Sequence, residues 1–175
     1  MSVFLNVILL NGLWLASVLG ASYQLLWPAF MCLMLLLTVI FIFRDVDTKF
    51  FKFMLFSSIY GLLIDAGLKS IGLVVYASNE YMLYFMPPWW IVCLWVGFSA
   101  SLSTGLYWVF DYPKIGALFM FIGAPLSYVS AAKLGAVELK HVPITVTFIG
   151  VAWLLYFVLI FQLKQRLLLR QNVLV

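Results

Sequence analysis

The chain has 175 residues, of which 66% are hydrophobic and only 9% are charged, with a formal net charge of +4. A soluble domain carries about 25% charged residues, so this composition excludes a soluble globular protein and predicts an integral membrane protein. The basic residues lie between the apolar segments and at their ends, which indicates orientation in a bilayer rather than binding of nucleic acid.

The apolar residues form six spans, and we predict an all-α bundle of six transmembrane helices that makes up a single transmembrane domain. The predicted helices cover residues 3–19, 23–43, 53–76, 87–110, 115–136 and 142–163, and a basic tail follows at 164–175. The first span has no charged segment ahead of it and is followed at once by a second apolar span. This pattern favours a retained helix over a cleaved signal peptide.

The third span contains the sequence G-L-L-I-D-A-G-L-K-S-I-G (61–72), which places two charged side chains among apolar residues. A charge at bilayer depth costs roughly 2.5 to 3.5 kcal/mol on insertion scales, so it normally faces a protein interior or a wet cavity. Asp65 and Lys69 are four residues apart and lie on one helix face, where they can form an ion pair. We therefore predict a polar site around this pair.

The fourth span begins with P-P-W-W (87–90), which is typical of a helix that starts at an aromatic membrane interface. Further along, Gly97, Ser101 and Gly105 repeat at four-residue spacing and form a seam of small residues. Such a seam lets two helices approach closely. We expect its neighbour in the same chain, with a homodimer as the alternative, and we interpret both features as structural anchors.

The fifth span contains G-A-P-L-S-Y-V-S-A-A-K-L-G-A (123–136), with Pro125 inside the helix and Lys133 near its end. Pro125 removes a backbone hydrogen bond and is expected to kink the helix. Cys32 and Cys93 lie in other apolar spans and lack the spacing of metal ligands or of a disulfide framework. The sequence therefore predicts no metal and no other cofactor.

The basic residues between the spans are unevenly distributed over the two sides of the bundle. The opposite side has only Lys133 and Lys140, whereas the side of the termini has Arg44, Lys49, Lys52, Lys114, Lys164, Arg166 and Arg170. Because cytoplasmic loops carry the excess of Lys and Arg, both termini are predicted to be cytoplasmic.

The depth of each polar residue follows from a rise of about 1.5 Å per helical residue. Asp65 lies about 18 Å from the start of the third span, near mid-membrane, and Lys69 lies one turn closer to the outer face. Ser99 reaches the level of Asp65, and Tyr128 reaches that of Lys69. We predict that Asp65, Lys69, Ser99, Tyr128 and Lys133 line one ligand-binding cavity in the outer half of the membrane.

The segments P-P-W-W-I-V-C-L-W-V-G-F-S-A-S-L (87–102) and G-A-P-L-S-Y-V-S-A-A-K-L-G-A (123–136), with G-L-L-I-D-A-G-L upstream, resemble a family of short bacterial inner-membrane proteins of unknown function. Lys133 matches a basic residue that family members carry ahead of L-G-A, whereas Ala124 stands where they have glycine. The resemblance implies a bacterial inner-membrane location. It also implies a lipid-related role, because some members occur in gene neighbourhoods with enzymes that modify membrane fatty acids.

Three functions are compatible with these residues. The first is binding or modification of a lipid-like molecule, in which Asp65 acts as a base or orients Lys69, and Tyr128 donates a proton. In that case Lys69 or Lys133 would hold an anionic headgroup. The second is a small transporter or channel with ionisable residues on an ion path. The third is a structural or assembly protein in which Asp65 and Lys69 form a neutral pair, and membrane lipids are the expected partners throughout.

Overall fold

The computed structural model describes residues 2–77 and 85–172, with side chains as far as Arg166 in the last helix. The end of the predicted basic tail, including the Arg170 side chain, therefore lies outside the described part. The described elements, in chain order, are the helices α1 (Val3–Ser22), α2 (Trp27–Phe43) and α3 (Thr48–Ser70), the strand β1 (Val74–Tyr76), the helices α4 (Trp89–Leu102), α5 (Trp108–Asp111) and α6 (Pro113–Lys133), the strand β2 (Val137–Leu139), and the helix α7 (Val142–Asn172).

Four of these helices are long and apolar enough to cross a membrane, as judged by length and composition. They are α1, α3, α6 and the Val142–Arg166 part of α7. The helices α2 and α4 are also apolar but shorter, with 17 and 14 residues. The described chain is thus almost entirely helical and has the composition of a membrane protein.

The helix bounds differ from the predicted spans by several residues, and two helices, α3 and α4, end well before the expected residue. The third span was expected to stay helical to residue 76, but α3 ends at Ser70 and a strand follows. Gly72 adopts a φ of +74°, a left-handed conformation that favours glycine, and it turns the chain out of the helix. The V-V-Y sequence of β1 is rich in residues that favour a strand.

The fourth span was expected to stay helical to residue 110, but α4 ends at Leu102 and only the short helix α5 resumes before α6. The hydroxyl of Thr104 donates to the Ala100 carbonyl, 3.0 Å away, so it competes with the backbone bonds of a continuing helix. The fifth span keeps its helix through Pro125, which lies inside α6.

The two strands form a small antiparallel sheet that the sequence did not predict. Val75 pairs with Glu138 at its centre, and Tyr76 pairs with Val137. Because β1 follows α3 and β2 follows α6, the sheet holds the carboxyl-terminal ends of these two helices at the same end of the bundle. The sheet thereby places Tyr76 next to Asp65, within the last two turns of α3.

Helix α4 packs against α1, α2 and α3, and α7 packs against α3 and α6. A side chain at Gly97 would collide with Leu13 of α1, with the built Cβ 2.2 Å from Leu13 Cδ2, and one at Gly105 would collide with Asn6. Asn6 in turn donates to Thr104 Oγ1 at 3.3 Å. The small residues of α4 and of the turn that follows it are therefore packed against α1 and α2 of the same chain.

Candidate functional site

Asp65 lies on α3 and is only 1% exposed. Its Oδ1 accepts hydrogen bonds from the hydroxyls of Tyr76, at 2.5 Å, and Tyr128. Its Oδ2 accepts a hydrogen bond from the indole N–H of Trp95, also at 2.5 Å. These four residues, which we call the Asp65 cluster, come from α3, β1, α4 and α6, so one carboxylate connects four separate elements.

All three hydrogen-bond donors to Asp65 are uncharged. A buried carboxylate is costly unless its lone pairs are satisfied, and hydrogen bonds to a charged acceptor are roughly twice as strong as neutral ones. Three donors therefore stabilise the carboxylate without a cation. Burial, and then the nearby Asp65 charge, raise the pKa of Tyr76 well above the usual range of a phenol, so its hydroxyl keeps the proton that it donates.

Gly61 explains how Trp95 reaches Asp65. Gly61 and Asp65 lie one turn apart on the same face of α3, and the Trp95 ring occupies the space where a side chain of residue 61 would be. A Cβ built at Gly61 would lie 2.1 Å from Trp95 Cε3. The ring also stacks on Trp153, with a centroid distance of 4.8 Å. The indole is thus packed against both Gly61 and Trp153, with its N–H directed at the carboxylate.

Lys69 does not form the expected ion pair with Asp65 among the residues that the structure describes. Its ammonium instead donates to the Met86 carbonyl at 2.6 Å. Met86 is followed by the two prolines that lead into α4. The Asp65 oxygens already accept hydrogen bonds from the two tyrosines and the tryptophan. The four-residue spacing was therefore not sufficient for an ion pair with Lys69. Lys133 is exposed in the last turn of α6 and also lies apart from the cluster.

Ser99 belongs to a second buried polar group, two helical turns from Asp65 along α3. The hydroxyl of Ser57 is hydrogen-bonded to Ser99 Oγ at 2.8 Å and to the Tyr156 hydroxyl at 2.5 Å. This group links α3, α4 and α7. The structure therefore brings Asp65 and Tyr128 together and separates both from Ser99.

Tyr156→Phe is expected to lower the free energy of unfolding by about 1 kcal/mol, because it removes one buried hydroxyl while Ser57 and Ser99 still bond to each other. Unfolding of the purified protein by sodium dodecyl sulfate in mild-detergent micelles measures the change. Tyr60→Phe, in the ring that stacks on Tyr156, serves as the control and should change the value by less than about 0.5 kcal/mol. Equal losses in both variants would contradict the bonding described above.

A cavity of about 680 Å³ lies beside the Asp65 cluster. Its walls come mainly from α1, α4 and α6, and its surface is largely apolar and aromatic. Five of the seven tryptophans of the chain line it: Trp14, Trp90, Trp95, Trp108 and Trp153. Asp65, Tyr76 and Tyr128 form its most polar region. Among the described lining residues, Asp65 is the single charged one.

The cavity opens at the side of the bundle, between α1 and α6. Its exposed lining residues all belong to these two helices: Asn11 on α1, and Phe119, Leu126, Ser127 and Ser130 on α6. The α4 residues that form the opposite wall are buried or half-buried. Because Asn11 and Leu126 lie well inside their helices, the opening lies about halfway along the bundle. It faces the medium that surrounds the apolar helices.

A cavity that contains Asp65 and Tyr128 was expected, but sequence reasoning missed Trp95, Tyr76 and the largely apolar, tryptophan-lined walls. Trp95 was available as an indole donor in the fourth span, four residues N-terminal to Ser99. Tyr76 was assigned to the end of the third helical span and was not considered as part of the site. Within the part of the chain that the structure describes, no three His, Cys, Asp or Glu residues are grouped so that they could hold a metal ion.

A comparison with protein families gives a match over most of the chain. A family model described as "Protein of unknown function (DUF2878)" matches residues 3–159, which include helices α1 to α6, both strands and more than half of α7. No curated protein and no solved structure matches the chain. The resemblance to an uncharacterised family is confirmed, and the chain belongs to the family of proteins of unknown function DUF2878.

Proposed function

We propose that this protein binds a lipid-like molecule in the cavity between α1, α4 and α6, with the polar head of the ligand at the Asp65 cluster. The observation that carries the proposal is the combination of an apolar, tryptophan-lined cavity with one small polar region at its inner wall. Ligand sites in proteins are typically cavities of roughly 300–1,000 Å³ with mostly apolar walls and a few placed polar groups. The volume and lining of this cavity correspond to that description.

The side opening supports entry from the bilayer. An amphiphile that leaves a lipid layer through the gap between α1 and α6 keeps its chain in apolar surroundings throughout. The polar head would then move inwards to Tyr76 and Tyr128, which lie on the buried side. A water-soluble ligand would lose hydration along the same path without compensation. We therefore favour a membrane-dissolved molecule, and we place binding ahead of chemical modification as the primary activity.

We also propose that all six apolar helices cross a bacterial inner membrane, with both termini in the cytoplasm. The 17 residues of α2 reach the lower limit for a crossing helix, and α4 is extended by the turn and α5 that follow it. The sheet supports this topology, because the carboxyl-terminal ends of α3 and α6 would both face the outer side. The excess of basic residues on the side of the termini supports the orientation.

Gly123→Leu is expected to empty the cavity. Gly123 lines it, and a Cβ there meets only Phe119 at 4.0 Å, so a leucine side chain can extend into the cavity without collision at its base. Native mass spectrometry with lipid analysis of the purified protein measures what remains bound. We expect at least a fivefold lower amount of co-purified amphiphile than in the unchanged protein.

The matched control is Gly12→Leu on α1, where a Cβ meets nothing within 4 Å and the residue is exposed outside the cavity. Both substitutions replace a helical glycine by a better helix former, so neither is expected to impair folding. An amphiphile retained equally by both variants would contradict binding in the cavity. Absence of any bound amphiphile from the unchanged protein would also count against the proposal.

A further inference from the structure

We infer that the cavity selects an amphiphile whose head is not anionic and donates a hydrogen bond, as in a long-chain alcohol, and that it rejects a long-chain carboxylate. The inference rests on the proposed function and specifies the chemical class of the ligand. It is carried by the charge of the lining and by the hydrogen-bonding capacity that the Asp65 cluster leaves free.

The charge of the lining disfavours an anion. Asp65 is its one charged residue among those described, and no Lys, Arg or His lines the cavity there. Lys69, which was expected to hold an anionic headgroup, is bound to the Met86 carbonyl, and Lys133 is exposed elsewhere on α6. A carboxylate head beside the Asp65 carboxylate would place two negative charges close together in an apolar region, where repulsion is strong.

The hydroxyls of Tyr76 and Tyr128 have already committed their hydrogens to Asp65. The Tyr128 oxygen already interacts with Tyr76 and with the Trp153 indole, whereas the Tyr76 oxygen can still accept a hydrogen bond, so the cluster offers a ligand an acceptor and not a donor. A head that donates a hydrogen bond can therefore join the cluster without breaking it. An ether or an ester lacks the hydrogen that this position requires.

Trp153 supplies the complementary group. Its indole N–H is buried and interacts with the Tyr128 hydroxyl, but it makes no well-formed hydrogen bond among the described residues, and the side chain lines the same cavity. A buried donor without a well-formed hydrogen bond costs free energy, which an accepting ligand atom would recover. A hydroxyl head can accept from Trp153 and donate to the Tyr76 oxygen at the same time, so it meets both requirements with a single group.

The test is photolabelling of the full chain in lipid nanodiscs with hexadecanol that carries a diazirine in mid-chain, followed by mapping of the labelled residues. Three unlabelled 16-carbon competitors are compared at equal mole fractions in the bilayer: hexadecanol, its methyl ether, and hexadecanoate kept ionised by high pH. We expect labelling of α1 and α6 at the cavity. Unlabelled hexadecanol should compete with the probe about tenfold more strongly than its methyl ether, and hexadecanoate should compete less than the ether.

Three outcomes distinguish the binding of an amphiphile in the cavity from the selectivity for its head group. Cavity labelling that is absent from the unchanged protein, or equally strong in Gly123→Leu, would overturn the assignment of an alcohol to this cavity, whereas the binding function itself would be overturned only if no amphiphile co-purified with the unchanged protein either. Specific labelling against which hexadecanoate competes as well as hexadecanol would leave that function intact and overturn the charge selectivity. Equal competition by the alcohol and its methyl ether would overturn the requirement for a donor.

Discussion

Asp65→Ala is expected to lower the free energy of unfolding by about 3 kcal/mol. The substitution leaves three buried donors without an acceptor, those of Tyr76, Trp95 and Tyr128, and each unsatisfied group costs about 1–3 kcal/mol. Removal of the buried charge offsets part of this loss. Titration with sodium dodecyl sulfate in mild-detergent micelles, followed by tryptophan fluorescence, measures the change and also reports on the surroundings of Trp95.

Two further variants make the result specific to the cluster. Asp65→Asn keeps one oxygen as an acceptor but presents an amide N–H to a donor, so it should fall between Asp65→Ala and the unchanged protein. Asp45→Ala removes an exposed carboxylate after α2 and should change the value by less than about 0.5 kcal/mol. A loss at Asp65 no larger than that at Asp45 would be incompatible with the described cluster.

Gly61→Ala is expected to lower the free energy of unfolding by about 2 kcal/mol, although alanine is the better helix former. The new methyl group would occupy the position of the Trp95 ring, and movement of this ring would disturb its stacking on Trp153. Overpacking of this kind costs about 1–3 kcal/mol, and displacement of the indole also weakens its bond to Asp65. The same denaturant titration measures the loss.

Gly67→Ala provides a comparison within the same helix. A Cβ at Gly67 meets nothing within 4 Å, so the helix preference of alanine acts alone and should raise stability by about 0.5–1 kcal/mol. The two glycines are six residues apart on α3, and opposite signs are predicted for the same chemical change. If Gly61→Ala were as well tolerated as Gly67→Ala, the confinement of Trp95 would be refuted.

The contrast between Asp65 and Lys69 shows what their spacing along the helix can and cannot predict. Their separation of four residues predicts that both lie on one helix face, and the burial of Asp65 agrees with a charge that faces the protein interior. Spacing does not tell which partners other elements supply. Tyr76, Trp95 and Tyr128 are 11, 30 and 63 residues away in the chain, and together they occupy the carboxylate.

Composition and local hydrophobic runs were sufficient to predict the helical character of the chain, its membrane-type composition and the approximate positions of the apolar spans, because these properties depend on neighbouring residues alone. It also singled out Asp65, since a charge inside an apolar span needs a protected position. The three-dimensional packing was needed to show that strands β1 and β2 pair, that Ser99 belongs to another polar group, and that the cavity lies between α1 and α6. These features depend on helix rotation and on long-range packing, which the hydrophobicity of a membrane span leaves unspecified because lipid and protein interior are both apolar.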